Sequence, residues 1–358
     1  MSEPGTDSGE PLTHGLIDRA LGTGLVPDGL VRRAARRAAR SRTSRELEGG
    51  PEAQRERLTE LVYRMSTGPI AEQADSANTQ HYEVPSEFFR GFLGPRLKYS
   101  ACYWPAPETT LEEAEEYTLD LCCRRAGIGD GLELLDLGCG WGSMTLWMAE
   151  RFPGSRILAV SNSATQRESI EADARGRGLG NVEVVTADVN EFEPDRKFDR
   201  IVSIEMFEHL RNWKEMLSRI SSWLKPDGTF FIHVFTHSRF AYRFTGSWFA
   251  DRFFTAGTMP SEELLLFFHE DLEVTDDWSF DGTHYARTLE AWLDRLDERR
   301  SGALAALGQG RSERSAREAL AAWRVFLMAA AETWNYNDGQ DWTVSHYLLR
   351  PATTRGSG

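Results

Sequence analysis

Between residues 132 and 235, short apolar runs alternate with segments whose apolar positions recur at helical spacing. The runs are 132–137, 156–160, 182–186, 198–204 and 229–235. Each is too short for a core helix and reads as a buried parallel strand. Helical patterns lie between them: one from Ser143, one over 163–177 ended by Gly178, and one over 213–224 closed by Lys225-Pro226-Asp227-Gly228. This alternation predicts the α/β class, a doubly wound sheet with right-handed crossovers. Ligands in such sheets sit at the carboxyl ends of the strands. Asp136, Ser161, Asn162, Asp188, Glu205 and His233 all fall at or near those ends.

The flanks differ in pattern. Residues 1–12 are polar and rich in Gly, Pro, Ser and Glu, a composition that predicts disorder. Helices are expected over 16–25, 29–48 and 51–65, broken by Pro27-Asp28-Gly29 and Gly49-Gly50-Pro51. The second carries Arg32, Arg33, Arg36, Arg37, Arg40, Arg42 and Arg45, but its apolar positions are mostly Ala, with no Trp or Phe to insert in a membrane. It is read as a charged surface that pairs with acidic parts of the same chain. Aromatic and polar residues mix densely over 78–89 and 97–104, which suggests a segment covering a ligand, with plain packing as the alternative. Thr110 is a plausible N-cap for a helix over 110–127. An interruption at 237–270 holds Phe240, Tyr242, Phe244, Trp248, Phe249, Phe253, Phe254, Phe267 and Phe268, which read equally as a roof over the site or as plain aromatic core. A strand over 272–278, a helix over 288–299, a small-residue linker at 301–310, a long helix over 314–333 and a last strand over 342–349 complete the expected order. The division that follows is a helical extension over 1–80 and a catalytic domain over 81–358, with an acceptor-site cap at about 237–340.

Bulk properties narrow the function classes. The 358 residues carry a net charge of −14, which argues against nucleic acid or anionic lipid as a bulk partner. No run of 18 apolar residues occurs, so no stable membrane insertion is expected. The polar start of the chain does not read as a signal peptide. The four Cys (102, 122, 123, 139) lack metal or redox spacing, so no metal is expected and the compartment is read as reducing and cytoplasmic.

The strongest chemical mark is Asp136-Leu-Gly-Cys-Gly-Trp-Gly142, which follows the first apolar strand and opens a helix. Its GxGxG spacing is tighter than the GxGxxG of dinucleotide folds. Glycines there allow a sharp turn and close approach of a ligand to the backbone. A second mark is Glu205-Met-Phe-Glu-His209. If it starts a helix, Glu205, Glu208 and His209 share one face at i, i+3 and i+4. The alternative reading of these acids is a helix N-terminus complementing its dipole.

Asp136–Gly142 resembles motif I of class I S-adenosylmethionine (SAM)-dependent methyltransferases, a Rossmann-like fold with a seven-stranded sheet. From about Gln80 onward the chain resembles the cyclopropane-fatty-acid-synthase-like methyltransferases, through His81-Tyr82, Tyr99-Ser100, Trp104, Asn162-Ser163 with Gln166, Phe207-Glu208-His209, and Trp248-Phe249 followed by Ala256–Pro260. Within that superfamily it looks most like the coclaurine N-methyltransferase group. That likeness includes Gly24–Pro27, Tyr82–Pro85, Ile204–His209 and Asn335–Gly339 with Trp342, Ser345 and His346. The resemblance implies SAM as cofactor and a small hydrophobic or aromatic amine as acceptor, and it allows a homodimer. It implies that Gly138 and Gly140 admit the methionine part of SAM, that Asn162 and Gln166 hold its ribose, that Asp188 and Val189 flank adenine, and that Tyr99, Ser100, Asp136 and Ile204 line the same site. Glu205 is expected to contact the amine, His209 to help remove its proton and Glu208 to orient His209. Tyr82, Glu83, His233, Trp248 and Tyr285 are expected near the acceptor. The alternative function is that of a cyclopropane-fatty-acyl-phospholipid synthase acting on unsaturated acyl chains. Those synthases use a bicarbonate base held partly by a Cys in Tyr-Ser-Cys. Here the motif reads Tyr99-Ser100-Ala101, and Glu205 stands where the synthases usually carry Gly.

Overall fold

The computed structural model describes residues 26–72, 84–245, 252–253 and 257–352. The helix expected over 16–25, and Tyr82, Glu83 and Trp248, lie outside the described residues.

Seven strands form one mixed sheet. They are β1 (Glu133–Leu137), β2 (Arg156–Ser161), β3 (Val182–Thr186), β4 (Phe198–Ile204), β5 (Leu224–His237), β6 (Leu272–Asp281) and β7 (Trp342–Pro351), in the order β3-β2-β1-β4-β5-β7-β6. β1 to β5 pair in parallel, and β7 lies antiparallel between β5 and β6. The doubly wound expectation holds, with an antiparallel strand inserted near one edge. Residues 225–228 do not end a helix before a fresh strand. β5 already pairs at Leu224, opposite Phe198, and the register shifts before it resumes at Thr229 opposite Arg200.

The helices are α1 (Asp28–Leu47), α2 (Gly50–Arg64), α3 (Ser86–Phe92), α4 (Leu111–Arg125), α5 (Ser143–Arg151), α6 (Ala164–Gly176), α7 (Trp213–Trp223), α8 (Thr283–Glu298), α9 (Arg300–Leu307) and α10 (Glu313–Trp334). On one face of the sheet α7 buries Trp213, Met216, Leu217 and Ile220. On the other face α4 and α5 bury Leu119, Cys122, Cys123, Met144, Trp147 and Met148. Thr110 caps α4 with a full capping box: its hydroxyl accepts from Glu113 N at 3.3 Å, and the Glu113 carboxylate accepts from Thr110 N at 2.8 Å. Thr110→Ala is expected to cost about 1 kcal/mol of stability in a denaturant titration, with turnover of the folded protein unchanged.

The cap is helical where a linker was expected. Residues 300–307 form α9, which packs on α3 and buries Ala303, Ala306 and Leu307. α8 begins at Thr283, earlier than residue 288, since Tyr285, Leu289, Trp292 and Leu296 recur at helical spacing and are all buried. α3 takes up the end of the 78–89 stretch, for which covering a ligand and plain packing are the two readings. Its Phe88, Phe89 and Phe92 are buried, and Trp323 of α10 packs against all three rings at 5.3–6.2 Å.

The basic helix α1 pairs with acids of the cap. Arg32 bonds both Glu290 and Glu332, Arg36 bonds Glu332 at 2.6 Å, and Arg324 of α10 reaches back to Asp28 at 2.9 Å. Among the described residues no helix is long and apolar enough to cross a membrane.

Candidate active site

A cavity of about 230 Å³ opens at the carboxyl ends of β1, β2 and β4. Its first half is built by the glycine loop. Gly138, Gly140 and Gly142 all have positive φ, for different reasons. A Cβ on Gly138 would stand 2.7 Å from Met206 Sδ, and one on Gly142 would stand 2.6 Å from Ile170 Cγ1. A Cβ on Gly140 meets nothing within 4 Å, although Gly140 lines the cavity. So the first and third glycines serve packing, and the middle one keeps backbone exposed to whatever fills the cavity.

Asp136 is buried at the end of β1, and its Oδ2 accepts from Thr145 Oγ1 at 2.6 Å. Burial pushes its carboxyl up to about 6, and the Thr145 hydroxyl opposes that rise. Gln166 is buried at the cavity wall and its Oε1 accepts from Ser161 Oγ at 2.6 Å, which leaves its Nε2 without a partner. Asp188 holds Asn190 through backbone and side chain. Asn162, Val189, Ile204, Tyr99 and Ser100 also line this half. An open backbone at Gly140 and an orphaned donor at Gln166 suit a ligand with an amino-acid end and a hydroxyl-bearing end, as SAM has.

The second half is dominated by carboxylates. Glu205 follows β4 in a left-handed turn, φ 46°, a conformation a non-glycine residue adopts at some cost. Its Oε1 accepts from Ala101 N at 2.8 Å and stands 3.3 Å from His233 Nε2, while its Oε2 accepts from the Tyr285 hydroxyl at 2.8 Å. Burial raises its pKa. The Lys98 charge, the Ala101 N–H and the Tyr285 hydroxyl oppose that rise. Residues 207–209 form a single 3-10 turn. Glu205 therefore does not share a helix face with Glu208 and His209. The turn instead brings all three to the cavity wall. Glu208 is fully buried, and no side chain donates to its oxygens; its nearest donors are the backbone N–H groups of Glu208 and Phe235, which oppose the rise of its pKa. Burial, and then the Glu205 charge, hold its carboxyl well above the usual range.

The apolar wall comes from Phe235 of β5, Tyr285 and Trp292 of α8, Phe326 of α10 and Trp141 of the glycine loop. A roof over the site from 237–270 is not formed by its described aromatic residues. Phe253 packs on Phe326 at 4.6 Å, behind the wall, and the Tyr242 hydroxyl accepts from Trp342 Nε1. Both belong to the core.

Two placements depart from expectation. His233 does not line the cavity. It is fully buried behind Glu205 and touches the site only through that carboxylate. Lys98 was not singled out by sequence, yet it lines the cavity at 1% exposure. Its Nζ donates to Ser100 Oγ at 2.7 Å and to Ala101 O at 2.5 Å, bracing the strap whose Ala101 N–H reaches Glu205. A lone Lys inside an aromatic segment was the available signal.

Comparisons with known proteins bear on the family and the fold. A sequence model described as mycolic acid cyclopropane synthetase matches residues 71–341. (S)-Coclaurine N-methyltransferase of Thalictrum flavum subsp. glaucum is 37% identical over 342 residues, covering 93% of this chain and 94% of that protein. Cyclopropane-fatty-acyl-phospholipid synthase of Escherichia coli (strain K12) is 30% identical over 267 residues, 74% of this chain and 66% of that protein. The fold superposes on the crystal structure of coclaurine N-methyltransferase bound to N-methylheliamine and SAH with a TM-score of 0.90, at 36% identity, covering 94% of this chain and 99% of that one.

Proposed function

We propose that this chain, which belongs to the mycolic acid cyclopropane synthetase family and is a SAM-dependent methyltransferase, methylates the nitrogen of a small hydrophobic or aromatic amine. The observation that carries the reading is Glu208, a buried acid without a side-chain partner, beside Glu205 in a cavity half-walled by Phe235, Tyr285, Trp292 and Phe326. A buried acid with no cation beside it stays neutral, and a ligand that brings the matching positive charge favours its ionised form. A cationic amine flanked by aromatic surface supplies that charge.

Gly140, Asn162, Gln166 and Asp188 would hold SAM, which when bound would offer an electrophilic methyl on its sulfonium. The protein's part is alignment, together with handling one proton. An amine attacks only after losing its proton, and its positive charge returns as the methyl arrives. Glu205, fixed by its donors, positions the nitrogen and stabilises that charge. His209 lies beside it on the cavity wall and takes the proton, with Glu208 adjacent in the same turn. Trp292, Phe326 and Tyr285 clasp the apolar body of the acceptor.

The test is a methyl-transfer assay with SAM over a panel of primary and secondary aromatic amines and over vesicles of unsaturated phospholipid. Amines are expected to be methylated and vesicles to be left unchanged. Modification of the acyl chains in preference to every amine would replace this reading with the lipid one.

The raised carboxyls give a pH signature. A carboxyl whose pKa is raised stays protonated to higher pH, and in that form it cannot pair with an ammonium group. Raising the pH ionises it, so affinity for a permanently charged quaternary ammonium analogue should rise with pH. Binding of that analogue should also release protons. Calorimetry in buffers of different ionisation enthalpy measures the release; none at neutral pH would show the acids already ionised.

A further inference from the structure

A row of side chains crosses the sheet from Glu205 to its far edge. His233 of β5 stands in register with Ile204 of β4, His346 of β7 with His233, and Trp278 of β6 with His346. His233 and His346 are both fully buried. His346 Nε2 is 2.8 Å from His233 Nδ1, and His346 Nδ1 is 2.8 Å from Arg125 Nη1 at the end of α4. The guanidinium lies over the Trp278 ring, 4.8 Å from its centroid.

Arginine carries only donors, so it sets the direction of every bond in this row. His346 Nδ1 must accept from Arg125. A neutral His346 then carries its hydrogen on Nε2 and donates it to His233 Nδ1. His233 in turn carries its hydrogen on Nε2, facing Glu205 Oε1. Burial keeps both rings neutral by holding their pKa values well below the ordinary one.

We propose that Arg125, His346 and His233 form an oriented hydrogen-bond chain that holds Glu205 as an acceptor and closes the sheet side of the pocket to its proton. Arg125 and His346 are positioning residues. A proton reaching Glu205 has no route into His233, because Nε2 already bears a hydrogen and Nδ1 is filled by His346. The proton leaves on the cavity side. Cys122 Sγ lies with the two rings, within 4.8 Å, but every imidazole lone pair is already taken and Arg125 sets a positive charge beside them, so the cluster does not suit a cation. The chain's part in turnover rests on the proposed amine chemistry, whereas its bond directions are measurable without it.

Histidine-labelled full-length protein reports the directions by NMR. At neutral pH, His233 and His346 are expected to be neutral with hydrogen on Nε2. Arg125→Met should abolish the single tautomer of His346 and lower kcat about tenfold, the lower end of the 10–100-fold scale for partners that orient a reacting group, with SAM affinity unchanged. Losing a donor to its charged form raises the Glu205 pKa, so the rise of kcat with pH should move to higher pH. The charged and titratable groups facing Glu205 are Lys98, Cys102, Glu208, His209, Tyr285 and His233. Those facing His346 are Arg125, Cys122, Lys98 and His233. His346→Gln can accept from Arg125 and donate to His233, and should keep most of the turnover. His346→Phe removes both bonds and should match Arg125→Met. Hydrogen on Nδ1 of His346 in the native protein overturns the proposal. So does Arg125→Met with unchanged tautomers, whatever its turnover. A protein that methylates no amine sinks the amine reading alone, and the tautomers still decide the chain.

Discussion

Glu205→Gln is expected to bind SAM normally and to lose amine methylation by roughly 10²–10³-fold, the scale for removing one positioned group that stabilises charge in the transition state. Glutamine keeps the shape of the side chain and can still accept from Ala101 N on one oxygen. It cannot accept from Ala101, His233 and the Tyr285 hydroxyl together without turning its own NH₂ toward a donor. It also lacks the charge that matches the ammonium in the transition state. The loss should therefore fall on kcat rather than on cofactor affinity. Single-turnover methylation with saturating SAM separates the two. A fully active Glu205→Gln protein would remove Glu205 from the chemistry and leave its strained, triply bonded turn without explanation. Bicarbonate should have no effect on the native rate, because the three donors that could hold such an anion are already occupied by Glu205.

Gly140→Val should abolish SAM binding, lowering affinity by at least about 100-fold, or nearly 3 kcal/mol. Two effects act together. The native φ of 52° is strained for any β-branched residue. The new side chain also projects into the cavity, since nothing protein-borne lies within 4 Å of its Cβ. Gly138 would be a poorer test: its Cβ collides with Met206, so a substitution there disturbs the fold before it reports on the ligand. Calorimetry on Gly140→Val protein with a cooperative melt decides the matter, and unchanged affinity would place the cofactor elsewhere.

How far the sequence alone carries can be judged from particular residues. The five parallel strands, the helices between them and the turn at 138–142 were legible because each depends on local pattern: apolar runs of strand length, helical periodicity and glycines where φ must be positive. Placing Asp136, Asn162, Asp188 and Glu205 at one end of the sheet follows from that alternation alone, because every parallel strand ends on the same side. The family resemblance named SAM and the amine from the same residues. The tertiary structure decided what each of them touches. Glu205 is held by Ala101, His233 and Tyr285, and the last of these is 80 residues away in the chain. No local period relates such positions. Only the insertion of β7 between β5 and β6 sets His346 against His233 and brings both within reach of Arg125. The aromatic wall was sought in the conspicuous 237–270 segment, but its described rings pack into the core, and α8 and α10 supply Trp292 and Phe326 instead. An aromatic residue in sequence announces burial. Whether it is buried against protein or against a ligand depends on which helices dock over the strand ends, and that is settled by packing among segments distant in the chain.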